Sequence, residues 1–313
     1  MNYLGVDIGG TAVKLGIVTD YGEILQSELY PVAFDGYETP ILETVMKSCA
    51  IFLEKNNIKP EKLLGIGISA TGQIDTNHRT VAGVGGNIKN WKDSDIGKTF
   101  SNLYHIPVTV VNDANCVALG EKWIGKAKDY HNVIVITIGT GIGGGIIVED
   151  KLLLGSSGFA GEFGHFSIKK DGEICTCGNK GCYERYASMT ALVRSVQNNI
   201  PFKQYPGLTK ELVNGKVIFE FVKNNDLIIS SIVDQWIEDI VSGLVSLTHI
   251  FNPDLILIGG GVSVQEDFLI LKIRERLRNK VMVNFGKSLI VESAALGNNA
   301  GLVGAVYYLK SLI

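Results

Sequence analysis

The chain opens with three apolar runs, Tyr3–Ile8, Ala12–Val18 and Ile24–Tyr30, separated by Gly9-Gly10-Thr11 and by Asp20-Tyr21-Gly22-Glu23. Runs of this length bounded by turn residues predict strands joined by tight turns. Helical spacing takes over from about Tyr37 to Asn56. Leu64–Ser69 and Val108–Asn112, the latter led in by Pro107, read as short buried strands. Asp113 to Trp123 then places Ala114, Val117, Ala118, Glu121 and Lys122 on definable helix faces. Val133–Ile138 and Gly143–Val148 flank a glycine turn, and Gly155 to Gly181 is loop-rich. From Ser188 the pattern is mainly helical, with a long segment from about Asp226 to Phe251. Leu255–Ile258 is a further strand, running into Gly259-Gly260-Gly261. Leu289–Val291 is the last strand and Asn299–Leu309 the last helix. Strands alternating with helices predict an α/β fold.

At 313 residues the chain has room for two ordinary domains. No linker marks a boundary. The junction near residue 112, where a strand meets a helix, is the expected one. It gives a small N-terminal lobe, 1–112, completed by the terminal helix 299–313, and a larger lobe, 113–298. Glycine turns after strands in both halves, at 9–10 and 139–145, suit a duplicated unit. Composition is that of a globular protein, 46% hydrophobic and 19% charged. The net charge of -3 gives no electrostatic basis for nucleic acid as the main partner. No apolar stretch has membrane-spanning length and no leader precedes the first strand, so the expected compartment is the cytosol, with no membrane partner.

Of the five cysteines, Cys175, Cys177 and Cys182 crowd together. Reduced thiols that cluster suggest a metal before a disulfide. With His165 they make a set of one imidazole and three thiolates, the donors of a closed, structural zinc site. Gly172, Gly178 and Gly181 supply the turns of the loop, 165–182. Glu162 and Glu184 stand at its two ends, where a metal-clamped loop would hold them and His165 for binding. Cys49 and Cys116 fall on helical faces and read as packing residues. His78, His105, His131 and His249 have no such company.

Three glycine-rich turns follow apolar strands. In Asp7-Ile8-Gly9-Gly10-Thr11, Gly9 and Gly10 let backbone N–H groups approach a phosphate, Thr11 adds a hydroxyl donor, and Asp7 could hold a metal-bound water. An ordinary hairpin turn is the plainer alternative. Gly139-Thr140-Gly141-Ile142-Gly143-Gly144-Gly145 spends more glycine than a turn needs, which suggests a loop around an anionic ligand, with packing alone as the lesser alternative. It is neither a Walker loop nor a dinucleotide fingerprint. Gly260 and Gly261 lie where a buried strand ends, a place that admits a base or ribose, though a plain loop fits equally well. Finally, Asn112-Asp113-Ala114-Asn115 sits at a strand-to-helix junction. A lone Asp there is commonly a helix cap. The flanking amides, able to bond sugar hydroxyls, favour a carboxylate that orients a hydroxyl and accepts its proton.

Together these motifs resemble the ROK family of bacterial sugar kinases and related repressors, nearly end to end. The marks are Asp7–Thr11, Asn112–Asn115, Gly139–Gly145, Glu162-Phe163-Gly164-His165 and the run Cys175-Thr176-Cys177-Gly178-Asn179-Lys180-Gly181-Cys182-Tyr183-Glu184. The resemblance implies a two-lobed actin-like ATPase (ribonuclease H-like) fold with a cleft. It implies ATP and Mg²⁺ against the glycine loops, and a homodimer. It places a hexose near Gly72, Asn87, Asn112, Asp113, Glu162, His165 and Glu184, with Asp113 taking the proton of the attacking hydroxyl. Glucose is the expected sugar. One departure bears on it: glucokinases of the family commonly carry Pro-Gly where this chain has Thr71-Gly72, a pair that looks more like N-acetylmannosamine kinases, whereas Asn87 with Trp91 resembles the glucokinase pattern. Repressors of the family carry a DNA-binding domain ahead of the first glycine turn, which here begins at residue 7. An actin-like ATP hydrolase is disfavoured by the polar residues around the zinc loop.

Overall fold

The computed structural model describes residues 1–84, 88–263 and 266–313. Among the described residues, twelve strands and ten α-helices follow in chain order. The first sheet is built from β1 (Asn2–Ile8), β2 (Ala12–Thr19), β3 (Ile24–Pro31), β4 (Ile66–Ala70) and β7 (Val108–Asn112); β5 (Gln73–Asp75) and β6 (Thr80–Gly83) form a small separate hairpin. The second sheet takes β8 (Val133–Ile138), β9 (Ile142–Val148), β10 (Lys151–Leu152), β11 (Leu255–Gly259) and β12 (Ile290–Ser293). Their orders are β3-β2-β1-β4-β7 and β10-β9-β8-β11-β12. Each is three consecutive strands extended on the far side of the first by two later ones, so the glycine turns at 9–10 and 139–141 occupy equivalent places between the first and second strands. In the first sheet β1, β2 and β3 pair antiparallel while β4 and β7 add in parallel.

The helices are α1 (Ile41–Lys55), α2 (Ile96–Tyr104), α3 (Asp113–Ile124), α4 (Glu184–Ala187), α5 (Met189–Asn199), α6 (Gly215–Lys223), α7 (Leu227–Phe251), α8 (Leu271–Lys280), α9 (Val283–Gly286) and α10 (Ala300–Lys310). The helical pattern expected from Tyr37 becomes a helix only at Ile41. Gly36 and Tyr37 take left-handed backbone, with φ of 70° and 68°, and Pro40 stands at the cap. Helix α2 was not foreseen from spacing: it is short, capped by the Asp95 carboxylate accepting the Lys98 N–H at 3.0 Å and stopped by His105 in the left-handed region.

Two compact units result, 1–135 with 145–161 and 294–313, and 136–144 with 162–293. The expected break at residue 112 therefore falls inside the first unit, and α3 belongs with that unit. The reason is α10, which packs along α3 and against the sheet. A Cβ on Gly304 would collide with the Cys116 carbonyl, and one on Gly67 would collide with the Ala305 backbone. Only glycine permits approaches this close. Leu302, Val306 and Leu309 of α10 pack with Tyr3 and Val18 on one face of the sheet, while Phe52, Trp91 and Phe100 join the larger cluster around Leu4, Val6, Ile8, Ile66 and Ile68. Cover on both faces explains why β1 reads as a near-continuous apolar run. Gly304→Ala is expected to destabilise by about 1–3 kcal/mol, the ordinary range for overpacking a tight core; urea unfolding with an unchanged midpoint would contradict this packing.

In the second unit α7 buries Ile229, Val233, Trp236, Ile237, Ile240, Val241, Leu244 and Leu247, spacing that keeps one face inward. Tyr183 is fully buried against Gly243, and its hydroxyl donates to the Ile240 carbonyl at 2.7 Å. The Trp236 indole donates to the Ser188 carbonyl at 3.1 Å. These bonds fix the start of α4, and with it Glu184, to the longest helix.

Candidate active site

In the first unit the β1–β2 turn closes with the Gly9 N–H donating to the Ala12 carbonyl at 2.9 Å. Asp7 is buried, and the Ser69 hydroxyl donates to its Oδ1 at 2.6 Å. A Cβ on Gly301, in the first turn of α10, would stand 2.8 Å from both carboxylate oxygens, so glycine leaves the room that Asp7 uses. Burial pushes the Asp7 carboxyl up from its ordinary range, against the downward pull of Ser69 and Lys14. Lys14, on β2, donates to the Asn298 carbonyl at 2.6 Å and to Asn299 Oδ1 at 3.2 Å. The turn is thus more than a hairpin corner: it presents Gly10 and Thr11 beside a buried acid. Ser69 was not foreseen; its position at the end of β4, level with Asp7 across the sheet, is visible only in the strand register.

At the end of β7 the helix cap is Asn112, not Asp113. Asn112 Oδ1 accepts the N–H groups of Ala114 at 2.9 Å and Asn115 at 3.2 Å, while its Nδ2 donates to the Gly72 carbonyl at 2.9 Å. Asp113 is the first helical residue, its Oδ1 accepting the Ala114 N–H at 2.8 Å. A carboxylate in this place is favoured by the helix N-terminus. Asn115, read from the sequence as a possible sugar contact, is only 2% exposed and faces the packing of α3 instead. Gly72 takes φ +99°, a conformation suited to glycine, and a Cβ there would meet the Gly83 carbonyl at 2.7 Å. The Thr71 N–H donates to the Ile8 carbonyl at 2.9 Å, and the Thr71 carbonyl accepts from the Trp91 indole at 2.8 Å. Asn87 lies outside the described residues.

The second unit holds the metal-type cluster. His165 Nδ1 and the sulfurs of Cys175, Cys177 and Cys182 all lie within 4.8 Å of one another. His165 Nδ1 is 3.7 Å from Cys175 Sγ, and Cys177 Sγ is 3.5 Å from Cys182 Sγ. Donors around a tetrahedral zinc, with bonds of about 2.0–2.3 Å, sit roughly 3.5–3.8 Å apart. The donor set and its spacing therefore fit zinc with no position left open. Cys175 and Cys182 are buried and Cys177 is exposed. The Asn179 backbone N–H draws the Cys177 thiol down to about 7, towards the thiolate a metal needs. Main-chain bonds shape the loop: Cys175 N–H to the Asn179 carbonyl at 2.8 Å, Gly181 N–H to the Glu173 carbonyl at 2.8 Å, and Tyr183 N–H to the Phe166 carbonyl at 2.9 Å.

With Nδ1 turned to the sulfurs, His165 Nε2 points the other way, 3.9 Å from Glu162 Oε2. Glu184 Oε1 lies 3.9 Å from His165 Nδ1 and accepts from the Cys175 thiol at 3.4 Å. So Glu162, His165 and Glu184 do converge. Desolvation pushes the Glu162 carboxyl up and the Glu184 charge adds to it, while His165 pulls it down; Glu162 keeps 38% of its side chain exposed, so solvent moderates the effect.

The second glycine loop divides. Gly144 faces the Phe163 ring, and a Cβ on Gly141 would stand 2.8 Å from Glu184 Oε2, while one on Gly145 would stand 2.6 Å from Ala118 Cβ. Packing accounts for these, and Gly143 lies beside them within β9. A Cβ on Gly139 would stand in open space, and Gly139, with Thr140 and Gly261, lines a cavity of about 640 Å³. Gly260 does not line it: at φ +84° it lets the chain pass the end of β8, where a Cβ would collide with the Ile138 carbonyl. The remaining walls come from α5 and α6, including Met189, Val193 and Phe219, with Thr190, Glu220, Lys216 and Lys223 as polar residues. A mostly apolar cavity of this size with few polar groups suits a flat heterocycle. Sequence reasoning missed the α5–α6 wall because it carries no motif.

Residues 3–311 match the ROK family. The chain is 35% identical to a glucokinase of Streptomyces coelicolor, over 96% of this chain and 95% of that one. Among solved structures it resembles the ROK family glucokinase of Streptomyces griseus in complex with glucose and AMPPNP, at 32% identity and a TM-score of 0.84, over 99% of this chain and 100% of that one. It also resembles a proposed N-acetylmannosamine kinase of Listeria monocytogenes, at 29% identity and a TM-score of 0.83, over 100% of this chain and 99% of that one.

Proposed function

The chain belongs to the ROK family, and from that premise we propose that it is a glucokinase, moving the γ-phosphate of ATP to a hydroxyl of glucose. It is an ATP-dependent sugar kinase with the actin-like ATPase fold of that family. The observation that carries the choice of glucose is the end-to-end likeness to a glucokinase whose structure holds glucose and AMPPNP.

In this reading the nucleotide base enters the cavity bounded by Gly139, Thr140, Met189, Phe219 and Gly261. The phosphates meet the N–H groups of Gly9, Gly10 and Thr11, and in the second unit Gly141, Gly143, Gly144 and Gly260 shape the backbone that receives the nucleotide. Asp7 would hold Mg²⁺ through water, and the ion would neutralise charge on the phosphates. Gly72, Asn87, Asn112, Glu162, His165 and Glu184 hold the sugar. Asp113 orients one hydroxyl and accepts its proton as that oxygen bonds to the γ-phosphorus; the β–γ bridging bond breaks and ADP leaves. His165, Cys175, Cys177 and Cys182 would hold zinc, whose part is to fix the loop that positions Glu162 and Glu184. A homodimer is the proposed assembly. No described helix is long and apolar enough to cross a membrane. The free thiols suit a reducing compartment, and we propose the cytosol.

A second reading, N-acetylmannosamine kinase, draws on Thr71 in place of the family's proline and on the Listeria likeness. ADP formation is to be measured with ATP and glucose, mannose, fructose, allose, N-acetylglucosamine or N-acetylmannosamine. Glucose should lead in kcat/KM over N-acetylmannosamine by at least about a hundredfold, since a polar sugar site discriminates steeply against a misfit. A ratio favouring N-acetylmannosamine overturns glucose and leaves the sugar kinase standing.

A further inference from the structure

Three backbone segments of the first unit meet around Tyr37. Its hydroxyl donates to the Gly10 carbonyl at 2.7 Å, inside the Gly9–Thr11 turn. Its own carbonyl accepts from Asn90 Nδ2 at 2.8 Å. The next residue, Trp91, is fully buried and donates to the Thr71 carbonyl at 2.8 Å, beside the Gly72 that Asn112 holds. Ile88 closes the triangle: its Cδ1 is 3.1 Å from where a Cβ on Gly10 would stand. Both linking residues have positive φ. Tyr37 has φ of 68° and Asn90 φ of 54°. Asn is a tolerated occupant of that region, but a bulky aromatic residue is not. Gly36, at φ of 70°, already turns the chain there, so the turn alone does not require Tyr37 to be left-handed too. What the strained conformation achieves is delivery of the hydroxyl to Gly10 and of the carbonyl to Asn90 at once. Strain of this kind persists where the surroundings over-determine it.

We propose that Tyr37 is a positioning residue that couples the phosphate-binding turn to the sugar-binding segment, so that nucleotide and sugar strengthen each other's binding. The inference rests on the glucokinase reading, which assigns phosphate to Gly9–Thr11 and sugar to the neighbourhood of Gly72, reached from Asn90 through the Trp91–Thr71 bond. The Tyr37 hydroxyl is the link on the phosphate side and Asn90 the link on the sugar side. Cutting either one breaks the same connection.

Glucose affinity is to be measured by titration with and without Mg·AMPPNP for the parent enzyme, Tyr37→Phe and Asn90→Ala, together with kcat and Tm. Phe keeps the ring and the same backbone demand, so folding is not the variable. In the parent the nucleotide analogue should tighten glucose binding about threefold to tenfold, the worth of one good hydrogen bond expressed as coupling. In both variants that ratio should fall close to one, and the double variant should lose no more of it than either single one. A hydroxyl with a merely structural role would lower Tm and leave the ratio alone. An unchanged ratio in Tyr37→Phe overturns the proposal, as does a parent whose glucose affinity ignores the analogue. Absence of glucose-stimulated ADP release from the parent overturns the glucokinase reading instead, and that assay is run separately.

Discussion

Replacing Asp113 by Asn should reduce the rate of phosphoryl transfer about a hundredfold or more while leaving the protein folded. The amide matches the carboxylate in shape but cannot take the proton of the attacking hydroxyl. The usual objection is that an Asp at a helix start does capping work, so its loss would act through stability. Here that work belongs to Asn112, which satisfies the N–H groups of Ala114 and Asn115 and tethers Gly72. The bond from the Ala114 N–H to Asp113 Oδ1 survives with an amide oxygen as acceptor. Glucose affinity by titration and Tm should therefore stay near the parent while kcat falls. Asn112→Ala makes the contrast: it should lower Tm by removing the cap, worth about 1 kcal/mol, and release the Gly72 turn between β4 and β5 as well. Near-parent turnover in Asp113→Asn would remove Asp113 from the chemistry altogether.

Loss of zinc should be the second large effect. Elemental analysis of protein prepared without chelator should find about one zinc per chain, and Cys177→Ser should release it. Cys177 is the variant to use because it is exposed, so serine there disturbs little beyond the ligand; Cys175 and Cys182 are buried, and their replacement would confound packing with metal loss. The loop between Phe163 and Tyr183 has few apolar anchors of its own beyond Phe163, Cys175 and Cys182. Once the four donors separate, Glu162 loses its His165 neighbour and the entry to Glu184 loosens. The expected pattern is a fall in Tm of several degrees, a rise in sugar KM of tenfold or more, as second-shell disruption of a metal site gives, and a smaller change in ATP KM. The asymmetry follows from the cavity, whose walls are α5, α6 and the ends of β8 and β11, none of them in the zinc loop. Metal-free parent protein with an intact sugar KM would sink the assignment.

The parts of the site legible in the sequence were those whose partners lie close along the chain. Cys175, Cys177 and Cys182 sit in one turn-rich stretch with His165 ten residues before the first of them, so a single loop can close around one ion. Gly9, Gly10 and Thr11 are adjacent, and so are Asn112 and Asp113. The α5–α6 wall of the cavity was invisible because Met189, Val193 and Phe219 are ordinary amphipathic helix positions; what makes them a wall is the distant Gly139, which no local spacing encodes. The glycine loop carries a second demand that the sequence did not show: Gly144 makes room for Phe163 and Gly141 for Glu184, close approaches that only the folded chain creates.

By itself the chain's pattern determined the type of the longer elements and some of their bounds: Val108–Asn112 and Val133–Ile138 are strands with those limits, and the long helix ends at Phe251, whereas the short α2, β5 and β6 carried no such signal. Alternation and turn residues suffice there, because secondary structure is a response to neighbours within a few positions. Tertiary structure alone decided where the units divide, which carboxamide caps α3, and what Tyr37 touches. Helix α10 joins strands β1 and β4 across most of the chain length, through glycines whose purpose is contact with a distant backbone. The Gly10–Tyr37–Asn90 connection spans strands β2 to β6 and helix α1, and it exists only because the packed core brings three loop ends together. Contacts of that range depend on every intervening element being placed first, which is why no local reading of residues could supply them.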